Sequence, residues 1–224
     1  MSDELGPVEP IADEAARRQE HWYARLMSLT DAVFAIAITL QATAISLPPR
    51  WAGDWPTLWS TLAPQLNAFA VSFVVISVFW LAHRRFMAQI DHVDPPLSVL
   101  TLAFLGFVAL QPLGTRMMSL HGDMPAARLA YGALLVGIGA ALATLWGYAA
   151  LIAGLVKGEL SLRLRWLILL LILLTPPWFL FLATLIPPPA PPFAVPALLL
   201  LLFLVGWRLR LWIGRLLGGE HHTA

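Results

Sequence analysis

The sequence contains no cysteine, which excludes disulfides, thiolate metal sites and cysteine nucleophiles together. Charge is also scarce. Only 12% of the residues are Asp, Glu, Lys or Arg, against about 25% in an ordinary soluble domain, while 59% are hydrophobic and the mean hydropathy is positive. Lipid is therefore the solvent that suits most of this chain. The formal net charge of +1 supplies no clustered basic surface, so nucleic acid is excluded as a partner. The N-terminal stretch MSDELGPVEPIADEAARRQEHW lacks both an apolar core and an A-x-A cleavage site, and is read as a retained segment rather than a signal peptide.

What is present is long apolar runs. At about 20 residues per membrane crossing, the 224 residues accommodate six spans. They fall at about 27–47, 62–81, 97–113, 129–153, 164–186 and 193–213. The first run stops at Pro48 and Pro49, and the second at His83, Arg84 and Arg85. Trp51, Trp55 and Trp59 lie between them, where indole rings suit the headgroup region. The expected fold is an all-α membrane protein, with an N-terminal arm over 1–26, a six-helix domain over 27–213 and a tail over 214–224.

Charge sorting sets the orientation. With both termini in the cytoplasm, that side receives Arg17, Arg18, Arg25, Arg84, Arg85, Lys157, Arg163, Arg165, Arg208, Arg210 and Arg215, while the opposite side receives only Arg50, Arg116 and Arg128. Hydropathy alone has no reason to sort basic residues in this way, so the expectation is a multi-pass protein of a bacterial inner membrane with cytoplasmic ends. Several features have structural readings. Ala133, Gly137 and Ala141 form a small-residue ridge for close helix packing, Pro176 and Pro177 are expected to kink the fifth span, and Pro187 to Pro192 form a stiff connector.

Polar residues that survive beside the first two spans carry the functional signal. Asp31 lies a turn inside the first run, where a charge at full depth costs about 2.5 to 3.5 kcal/mol. One reading makes Ser28 and Asp31 a capping box at the start of the helix. The other is a network of Arg25, Asp31, Trp80 and His83 tying the inner ends of spans one and two, since Arg25 and Asp31 are about 120° apart on a helix and each must look elsewhere. Viewed down the first helix, Ala32, Ile36, Thr39, Leu40, Thr43 and Leu47 share one stripe, with Phe34, Ile38 and Ile45 on the far face. That stripe is either a packing seam, or a pore wall on which Ile36 and Leu40 form a constriction and Thr39 and Thr43 offer oxygens to a cation.

The segment RLMSLTDAVFAIAITL, from Arg25 to Leu40, resembles the Arg-x-x-x-Phe-Ser-Asp signature and the following Ala-Ile-Ala-Ile-Thr-Leu block of the bacterial transmembrane protein 175 family of potassium channels. SFVVISVFWLAHRRF and LSVLTLAFLGFVALQP resemble that family's second and third helices. The resemblance implies a homotetramer whose first helices line a central pore, with Ile36 at the narrowest apolar ring, Leu40 beside it, and Thr39 in a layer linked with potassium preference. It implies a structural role for Arg25, Asp31, Trp80 and His83, no cofactor, and potassium as permeant ion rather than bound metal. Leu29, Thr30, Ala32 and Ala82 depart from the family's Phe, Ser, Gly and Asn, and Thr43 replaces an often apolar pore residue.

The residues bear on two other functions. A proton leak or a proton-coupled small-solute transporter would use Asp31 and His83 as titrating groups, although both lie toward the cytoplasmic edge rather than the midplane. An enzyme has poor candidates: Asp91, His92 and Asp94 read as a solvated connector, His221 and His222 lie in a tail, and GLVKGE lacks the Lys-Ser/Thr ending of a phosphate loop.

Overall fold

Residues 11–157 and 160–185 are described by the computed structural model. They form α1 (Ile11–Gln41), a short 3-10 turn (Ala42–Ala44), α2 (Trp55–Met87), α3 (Pro95–Ala109), α4 (Gln111–His121), α5 (Pro125–Gly147), a π-helical turn (Tyr148–Ile152) and α6 (Leu162–Leu185). Segments Ala16–Ala44, Trp55–Met87, Pro95–His121 and Pro125–Ile152 are each long and apolar enough to cross a membrane. They overlap the first four runs read from hydropathy, with the first segment ending at Ala44, short of the expected 47. The fifth run lies in α6, which passes through positions 176 and 177, while the sixth run, the connector and the tail lie outside the described residues.

Helix starts differ from the hydropathy reading, for local reasons. Asp54 caps α2 by accepting from the Thr57 amide at 2.9 Å, and Pro56 fills a first-turn position where its missing N–H costs nothing, so α2 begins before its apolar run. The bonds from Thr57 hold the Asp54 carboxyl below its ordinary pKa. α1 begins at Ile11, so Ser28 and Asp31 lie well inside a continuous helix and the capping-box reading is wrong. The polar stretch before residue 27 is helical because it docks: the Gln19 side-chain oxygen accepts from the Val93 amide at 3.3 Å, and the Trp22 indole donates to Ser98 at 3.1 Å.

The third run is broken at Leu110. Pro112 has no amide hydrogen and its ring crowds the carbonyl four residues earlier, so the ladder restarts as Leu113 and Gly114 donate to Leu110. α1 packs on α2, α3 and α4, and α5 lies against α3, α4 and α6. Gly137 of α5 makes the α3 contact close: a Cβ there would stand 2.9 Å from the Phe107 ring. Aromatic rings knit the core across helices, with Phe34 of α1 5.9 Å from Phe104 of α3 and Phe86 of α2 5.3 Å from Trp146 of α5.

One end of the bundle is clipped by its connectors. Ile90 and Val156 pair as an antiparallel bridge, and the Lys157 ammonium donates to the Ala88 carbonyl at 3.2 Å. Asp94 is more than a solvated connector, because it caps α3 through the Leu97 amide and accepts from the Tyr148 hydroxyl. Asp91 and His92 are exposed and lie 3.8 Å from each other.

Candidate conduction face and its anchor

The two sides of α1 are chemically distinct. Leu26, Thr30, Phe34, Ala37, Gln41 and Ala44 are buried against the other helices. Ile36 and Leu40 are 57% and 47% exposed, and Thr39 and Thr43 are exposed beside them. Among the described residues no other helix covers this stripe.

The threonine hydroxyls on it are not free rotors. Thr39 Oγ1 donates to the carbonyls of Ala35 and Ile36, both at 3.0 Å, and Thr43 Oγ1 donates to Leu40 at 2.7 Å. Back-bonding of this kind commits the single hydroxyl proton to the helix. Each oxygen is left to act outward as an acceptor, which suits a cation and gives an anion nothing to bind.

The far side of α1 is anchored through Asp31. Its carboxylate accepts from the Trp80 indole at 2.8 Å and from an Arg84 Nη1 at 3.0 Å, both on α2. Trp80 and Arg84 are one helical turn apart, so they present to the same point on α1, and the Arg84 guanidinium also lies 5.3 Å from the centre of the Trp80 ring. The sequence offers Arg84 beside Trp80 and His83 at the depth of Asp31, but the expected network leaves it out. The signal for it was its spacing of four from Trp80.

His83 and Arg25 are placed differently. The His83 ring is fully buried and stacks on Phe104 with centroids 5.2 Å apart and planes 7° from parallel, facing α3 rather than Asp31. Neither ring nitrogen has a hydrogen-bond partner among the described residues. Arg25 is exposed, and no hydrogen bond or ion pair among the described residues joins it to Asp31, Trp80 or His83. At about 100° per residue it falls on the same stripe as Ile36, one turn before Leu29.

Comparison with known proteins follows the same helices. Residues 25–112 match the family model described as the endosomal/lysosomal potassium channel TMEM175. A potassium channel of Streptomyces collinus is 35% identical over 130 residues, covering 54% of this chain and 62% of that protein. The endosomal/lysosomal proton channel TMEM175 of Rattus norvegicus is 26% identical over 140 residues, covering 61% of this chain and 27% of that one. The chain thus spans less than two thirds of the length of these curated relatives. The crystal structure of a lysosomal potassium-selective channel TMEM175 homolog from Chamaesiphon minutus shares the fold, with a TM-score of 0.58 at 24% identity over 81% of this chain and 97% of that one. Over residues 25–112 this multi-pass membrane protein is similar to the TMEM175 family of channels.

Proposed function

We propose that the protein is a potassium-preferring cation channel of a bacterial inner membrane, passive and without a cofactor, in which the exposed stripe of α1 lines a central pore. The observation that carries this reading is the stripe itself: apolar Ile36 and Leu40 interleaved with Thr39 and Thr43, whose hydroxyl protons are already committed to the helix. The described residues of one protomer leave that surface uncovered. Copies of α1 around an axis, as a homotetramer of six-helix subunits with cytoplasmic termini, would bury it, forming an apolar ring at Ile36 and Leu40 and oxygen layers at Thr39 and Thr43. Selectivity would then arise from a narrow ring that strips water and from nearby acceptor oxygens. Asp31, Trp80 and Arg84 hold the back of α1 against α2, so the pore wall does not rotate freely. His83 fills the space behind it, and Arg25 stands at the mouth.

The test is cation flux from proteoliposomes under a potassium gradient, with sodium and proton replacements, for the natural chain, Ile36→Asn and Thr39→Val. The expected result is potassium efflux that Ile36→Asn enlarges and Thr39→Val makes less selective against sodium. Proton flux alone would move the reading to a proton leak. A folded, assembled protein that passes no cation would return the stripe to a packing seam.

A further inference from the structure

The uncovered stripe of α1 does not end at Ile36. Toward the N-terminus it continues through Ala32 and Leu29 to Arg25, all exposed, while Leu26, Thr30 and Phe34, which alternate with them, are buried. Arg25 and Ile36 are eleven residues apart on one unbroken helix, which at about 100° per residue is three turns and about 20°, so both stand on the same face. No acid lies between them on that face. Ala32 and Leu29 are uncharged, and the Asp31 carboxylate is turned to Trp80 and Arg84. Among the described residues no carboxylate stands within ion-pair distance of Arg25, whereas Arg18, two turns further out, has Glu14 at 3.9 Å to offset it. Arg25 is therefore the charge on this stripe nearest to Ile36.

We infer that Arg25 is an electrostatic throttle on cation passage: copies of its guanidinium, ringed at the mouth of the path, lower the local potassium concentration and slow entry. This rests on the proposed pore reading and adds to it a residue that sets the rate. Charge lining a cleft with low-dielectric walls raises the local concentration and on-rate of the opposite ion by about 10- to 1000-fold, and the same field depletes an ion of like sign. A basic mouth on a cation path therefore costs flux. Arginine stays protonated at any physiological pH, so the throttle responds to salt and not to acid. Distance decides how far it acts. The rise from Arg25 to Ile36 is about 16 Å, against a Debye length of about 30 Å at 0.01 M salt and about 3 Å at 1 M, so the guanidinium field reaches the Ile36 ring in dilute salt only.

The experiment is single-channel conductance of the purified full chain in planar bilayers, in symmetric potassium chloride at about 0.01 M and at about 1 M, for the natural chain, Arg25→Gln, Arg25→Lys, Arg25→Glu and Arg163→Gln. Arg25→Gln is expected to raise conductance at least about threefold in dilute salt and to leave it unchanged in concentrated salt. Arg25→Glu raises it further, and Arg25→Lys matches the natural chain. Arg163, exposed on α6 and off the stripe, gives no change on losing the same charge. All these side chains are exposed, so the variants are expected to fold, and unchanged thermal unfolding checks it. A merely structural Arg25 would instead lose conductance with Gln and Glu alike, at both salts. A natural chain that passes no current at either salt removes the pore reading, and the inference with it. A natural chain that conducts, while Arg25→Gln leaves dilute-salt conductance unchanged or lowered or acts equally at both salts, overturns the inference alone.

Discussion

The buried and exposed faces of α1 use the same kinds of residue for opposite ends. Thr30 and Thr39 both return their hydroxyls to the preceding turn, but Thr30 is fully buried and its bond merely quiets a polar atom inside the core, whereas Thr39 presents its remaining lone pairs outward. Phe34 and Ile36 are two residues apart and both apolar, yet Phe34 meets Phe104 while Ile36 is 57% exposed among the described residues. Position around the helix, not residue type, divides the anchoring face from the one proposed to line a pore. It follows that changes on one face should move stability and changes on the other should move permeation.

Phe34→Ala should have the largest effect. Truncating a fully buried aromatic ring typically costs about 3 to 5 kcal/mol, and a lowered melting temperature in detergent with ion selectivity intact would place Phe34 wholly on the anchoring side. Gln41→Leu tests the same face with the opposite sign. Both amide atoms of Gln41 are buried with no partner among the described residues, an arrangement that costs about 1 to 3 kcal/mol. Leucine should therefore raise the melting temperature, and a fall instead would mean that the amide is satisfied by water.

Asp31→Ala comes next. It removes the contacts from Trp80 and Arg84, but the Asp31 and Arg84 side chains are 41% and 48% exposed, so solvent screening limits the loss to about 1 to 2 kcal/mol. Its flux should become more variable, because the back of the pore helix loses its tether. Thr39→Val should be smallest in stability, within about 0.5 kcal/mol by thermal unfolding, while altering the potassium-to-sodium flux ratio. A large stability loss from Thr39→Val would blur the two faces.

Much of this division is legible in the amino-acid sequence. Hydropathy located the first four crossings, and the wheel of α1 put Ile36, Thr39, Leu40 and Thr43 on one side with Phe34 on the other. Asp31 and Trp80 were placed at matching depth by counting from the charged ends. What was missed depended on docking. A helix over 11–26 carries no apolar run, so its order comes from Gln19 reaching the connector at Val93 and Trp22 reaching α3, which no single segment reveals. The direction of the His83 ring was equally hidden, because stacking on Phe104 is chosen by α3 and not by the Trp-x-x-His spacing. The break at Leu110 was readable from Pro112, but the apolar run around it masked the proline.

The unbroken length of α1 has a mechanical meaning. A single helix from Ile11 to Gln41 carries torque with little loss, and at about 1.5 Å per residue only roughly 21 Å of it separates Trp22 from Ile36. Residues 11–26 are therefore the handle of a crank. A twist applied there would travel up the helix as far as the Asp31 tether to α2, so on the proposed pore reading whatever grips or releases Gln19 and Trp22 would load that tether before it could turn Ile36.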